Sequence, residues 1–177
     1  TSVVSAILPV YFARMAAKSM AAHDATALWG YASAAALAVT AVLSPIVGTL
    51  ADQTRRRKPI LLACVLLGCG GTLALAITPA TSWSGLLTAF ALAFIAFATG
   101  NVLYDALLPS VAAPDEIDRV SARGFAWGYL GGGLLLAVHL AMIAMPQRFG
   151  FADAAGATRA AFASVAGWWL VFAIPLF

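Results

Sequence analysis

Polar residues in this 177-residue chain gather in short breaks between long apolar runs. Six runs can be read, at about 1–17, 28–50, 59–77, 83–104, 124–145 and 160–177. A helix of roughly twenty apolar residues spans a hydrocarbon layer about 30 Å thick, so each run is predicted to cross a membrane. Strands of a membrane barrel would instead show segments of about ten residues with polar positions alternating. The stretch LLACVLLGCGGTLALAI, from Leu61 to Ile77, is apolar on all sides. The pattern therefore predicts an all-α membrane protein with six transmembrane helices.

Composition agrees: 63% of residues are hydrophobic and 10% charged, against roughly a quarter charged in a soluble domain. No charged region precedes the first run and FARMAAK follows it directly, which argues against a cleaved signal peptide. The chain starts and stops inside apolar runs, the last ending in WWLVFAIPLF, and is expected to be a piece of a longer protein. Cys64 and Cys69, five apart in the third run, have no metal or redox spacing and are expected to face lipid or fill packing space. The net charge of +3 comes from the loops and bears on membrane orientation rather than on nucleic acid.

Five loops alternate between the two sides. The second and fourth hold Arg55, Arg56, Arg57, Lys58, Arg119 and Arg123, whereas the others and their flanks hold Arg14, Lys18, Arg148 and Arg159. Lys and Arg in short loops set orientation, so the loop RRRK, from Arg55 to Lys58, is expected on the cytoplasmic side. Orientation alone would account for the cations but not for Asp52. A carboxylate near the carboxyl end of a helix opposes the macrodipole and needs a partner; Arg56, four residues on, can reach back to it, and a helix amino terminus can supply a second.

The stretch from Gly48 to Lys58, GTLADQTRRRK, resembles the signature between helices two and three of the major facilitator superfamily, roughly G-x-L-A-D-R-x-G-R-(R/K). Gly48, Leu50, Ala51, Asp52, Arg56 and Arg57 match in register. Gln53 and Arg55 replace the usual Arg and Gly, so the turn is expected to be built differently. A second stretch, YDALLPSVAAPDEIDRVSARGFAWGYLGGGLLL from Tyr104 to Leu136, is similar to the autophagy-linked vacuolar amino-acid effluxers and their bacterial relatives, with Asp105 in place of the usual Asn.

The resemblance implies the amino-terminal six-helix half of a twelve-helix transporter, lacking the start of helix one and the whole second half. It further implies two inverted three-helix repeats, a small solute such as an amino acid, possible coupling to protons, and the cell membrane of a bacterium. The signature implies a cytoplasmic gate, in which Gly48, Asp52, Arg56 and Arg57 help to hold the two halves together when the transporter faces outward.

Other residues carry weaker signals. Gly124, Gly128 and Gly132 recur every four residues on helix five, with Gly131 and Gly133 beside them, a small-residue face suited to close helix contact either within this half or against the missing one. This face is expected to be far more sensitive to size than Gly68 on helix three. Asp105, at the cytoplasmic end of helix four, either joins the charged network or is solvated at the membrane edge. His139 sits about 24 Å into helix five; it contacts proton or substrate, or else bonds a neighbouring carbonyl. Tyr11, Asn101 and Tyr104 complete the candidates for substrate or proton contact, while Tyr31 beside Trp29 reads as an interfacial anchor.

With two His and two Cys, no nucleophile set, phosphate loop or metal cluster stands out, and no cofactor is expected. An intramembrane enzyme would have only His139 and Asp105, on different helices. The classes left are a secondary transporter, with its site near the membrane midplane, and a membrane scaffold or assembly subunit that moves nothing.

Overall fold

The computed structural model describes residues 2–17, 19–79 and 81–177, with side chains from Ser5 onward. Lys18, counted among the first-loop cations, lies outside the described residues. The described residues form six α-helices: α1 (Ser2–Ala16), α2 (Ala22–Thr54), α3 (Arg57–Ile77), α4 (Trp83–Asp105), α5 (Ile117–Ala144) and α6 (Ala154–Ala173). Five of them, α2 to α6, are long and apolar enough to cross a membrane, and the chain is an integral membrane protein. The first, with Pro9 inside it, is the short one at 15 residues.

The helices outrun the apolar runs. Three of them, α2, α5 and α6, begin about six residues before the hydropathy does, because apolarity marks the part in lipid while the helix continues into polar flanks. Acids suit those added first turns: Asp24 in α2 and Asp118 in α5 lie at positive helix ends. At α6 the Asp153 carboxylate accepts the Gly156 N–H at 2.7 Å, capping the helix.

The carboxyl end of α2 closes with a residue in the left-handed region: Arg55 has φ +55°. Its N–H donates to the Asp52 carbonyl at 3.2 Å, and the Arg56 N–H donates to the Ala51 carbonyl at 3.1 Å, the pairing of a Schellman motif. Glycine is the residue that adopts this conformation without strain, and Arg55 stands where the signature has glycine. The turn is tight in spite of the substitution, and two residues, 55–56, connect α2 to α3.

Packing centres on α3. A Cβ added to Gly71 would lie 2.8 Å from the Ala93 nitrogen on α4, so the two backbones touch there. Gly68 lies directly under the indole of Trp169 on α6, whose ring meets Phe97 edge-on at 5.7 Å. A β-carbon at Gly100 would be 3.3 Å from the Cys64 Cβ. Both cysteines are buried and free, so they fill packing space rather than face lipid. One apolar cluster joins Leu8, Phe12, Leu75, Leu86, Phe90 and Phe162; a second, around the α2–α3 turn, joins Ala51, Leu61, Val65 and Leu103. In addition α3 packs on α6, α2 on α4, and α5 on α1 and α6. Long faces of α2 and α5 are left open, with Tyr31, Trp127 and Tyr129 each more than 70% exposed.

Candidate functional site

The charged cluster forms where the chain turns from α2 into α3. Asp52 lies in the last turn of α2, and Arg57 is the first residue of α3. The Arg57 Nε donates to Asp52 Oδ1 at 2.6 Å, and its Nη1 donates to the carbonyl oxygen of Ala106, just past α4, at 3.0 Å. The last carbonyls of a helix have no partner within it. One guanidinium therefore fastens the ends of three helices.

The placement resolves two dipole conflicts at once. Asp52 sits at the negative end of α2 and Arg57 at the positive end of α3, each disfavoured there by several tenths of a kcal/mol. Brought together, each supplies the charge the other's helix end calls for, and Arg57 also meets the negative end of α4. The side chains are 57% and 41% exposed, a setting in which an ion pair contributes about 1 kcal/mol or less to stability. The cluster is thus built for position more than for stability.

Arg57, and not Arg56, is the partner of Asp52. A four-residue reach assumes a continuous helix, whereas α2 ends at Thr54 and Arg56 becomes the residue that precedes α3. After the reversal Arg57 faces back toward α2, while Arg55, Arg56 and Lys58 are exposed. Asp105, the last residue of α4, is exposed and makes no ion pair among the described residues; the carbonyl of its neighbour makes the contact instead. No side-chain pattern announces a backbone acceptor, so Ala106 was invisible in the sequence.

The glycines singled out on α2 and α5 are mostly open. A Cβ added at Gly48 or Gly128 would meet nothing within 4 Å, and at Gly124 only the Tyr104 hydroxyl, at 3.9 Å; Gly132 is half-buried. Gly68 on α3 is closely packed, so the expected order of size sensitivity is reversed within this chain. A four-residue spacing identifies a helix face but not what lies against it. Asn101 and Tyr104 are exposed on α4.

Tyr11 and His139 belong to the opposite end of the bundle. Tyr11 is buried edge-on against Phe162 at 5.8 Å, and its hydroxyl has no hydrogen-bond partner among the described residues. His139 is 1% exposed, five residues from the end of α5, or about 7.5 Å. The ring Nε2 lies 2.6 Å from Ser164 Oγ on α6. Since that hydroxyl donates to the Ala161 carbonyl at 2.9 Å, it is left to accept from Nε2–H. His139 therefore faces α6 and not the open side of α5. Ser164, 25 residues away in an apolar run, gave no sign of pairing with it. No three His, Cys, Asp or Glu side chains converge as metal ligands among the described residues.

Known proteins agree with the signature. Residues 15–177 match the family model described as "Vacuole effluxer Atg22 like". The chain is 34% identical over 176 residues to the "Uncharacterized MFS-type transporter YxiO" of Bacillus subtilis (strain 168), covering 98% of this chain and 41% of that protein. It spans about two fifths of the length of that curated relative. No solved structure matches. Because the family model runs across α2 to α6 entire, including the Asp52–Arg57 turn, the chain belongs to the Atg22-like vacuole effluxer family.

Proposed function

We propose that the chain is the amino-terminal half of a secondary transporter, working by alternating access against a second six-helix half, and that the Asp52–Arg57–Ala106 cluster is part of its cytoplasmic gate. The carrying observation is that one guanidinium joins three helix ends through exposed, weakly stabilising contacts. Such contacts are readily exchanged for others. The open faces of α2 and α5 support a missing partner half, and the relative's description as an MFS-type transporter supports the class.

Inverted three-helix repeats fit the packing, in which α3 meets α6 while α2 on α4 corresponds to α5 on α1. On this reading the solute lies near the membrane midplane, against the second half. The solute is a small metabolite of amino-acid type, with proton coupling and residence in a bacterial inner membrane as further parts of the proposal. Asn101 and Tyr104 are exposed in the last turns of α4, on the side of the charged turn, where a solute would pass, whereas His139 is buried against α6.

The test is Asp52→Asn in the full-length protein. It keeps shape and removes charge, and acidic residues contribute little to orientation. Insertion should stay normal while uptake falls and a cysteine in the cytoplasmic cavity becomes more accessible, as when one of two states loses differential contacts. Normal uptake and accessibility would reduce the cluster to an orientation signal. No uptake of any solute by the wild-type protein would favour a scaffold.

A further inference from the structure

We draw no further inference here: the strongest candidate, the surface patch of exposed cations Arg55, Arg56 and Lys58 on the turn from α2 into α3, belongs to the charged site already described.

Discussion

Adding one methyl group at Gly71 tests a close helix contact made against backbone, that of α3 on α4. The β-carbon of Gly71→Ala would stand 2.8 Å from the Ala93 nitrogen, 3.0 Å from its Cα and 3.1 Å from its Cβ, whereas carbon contacts are comfortable from about 3.5 Å. The obstacle is backbone, which no rotamer change moves aside, so α3 and α4 must separate locally by about 0.5–0.7 Å. A gap of that size forfeits a quarter or more of each affected dispersion contact, and overpacking of this kind costs about 1–3 kcal/mol. By soluble-domain scaling, about 2 kcal/mol lowers the melting temperature of a chain this size by roughly 4–8 °C. The protein carries its own probe: Cys64 and Cys69 are buried thiols on α3 that become reactive when the bundle opens. Heating the detergent-solubilised full-length protein with a fluorogenic maleimide, and mapping the label to α3, gives the midpoint. Gly70→Ala is the control, because an added Cβ there meets nothing within 4 Å; its midpoint should hold or rise slightly. Gly71→Ala melting within 1 °C of the wild type, or Gly70→Ala proving the more harmful, would refute the contact.

Arg55→Gly should raise the same midpoint by the equivalent of about 1 kcal/mol, since a non-glycine residue in the left-handed region costs roughly 1–2 kcal/mol and glycine avoids it; Arg55→Val should lower it. Gly68→Leu, driven into the Trp169 indole, should impair folding far more than Gly128→Leu, as read by the monodisperse fraction in detergent. Arg57→Lys keeps the charge but loses the fork that reaches Asp52 and Ala106 together; uptake by the full-length protein should drop nearly as far as with Arg57→Gln. Ser164→Ala should destabilise by about 1–3 kcal/mol by leaving the buried His139 nitrogen unbonded, and a double-mutant cycle with His139→Phe should show coupling of at least 0.5 kcal/mol if they bond directly.

The number of helices was legible because burial in lipid requires long apolar runs, as in Leu61 to Ile77. Helix ends were not, since His23, Asp24 and Asp118 continue helices that hydropathy stops counting. Asp52 stood out through its conflict with the helix dipole, but its partner depended on a chain reversal that turned a four-residue reach into Arg57. The glycine stripe on α5 looked like a packing face, yet Gly68 and Gly71 make the close contacts. Spacing along one helix carries no information about the second surface. For the same reason His139 could be singled out while Ser164 could not.

The joint at residues 55–56 also sets which parts can move independently. With two residues between them, α2 and α3 have little chain to spare, and α3 meets the backbone of α4 at Gly71. The link from α4 to α5, residues 106–116, is far longer and contains only a short 3-10 turn, Leu108–Ser110. The chain thus ties α2 closely to α3, whereas α5, joined to α4 by the longer link, is held through α1 and α6, with its glycine face open at Gly128.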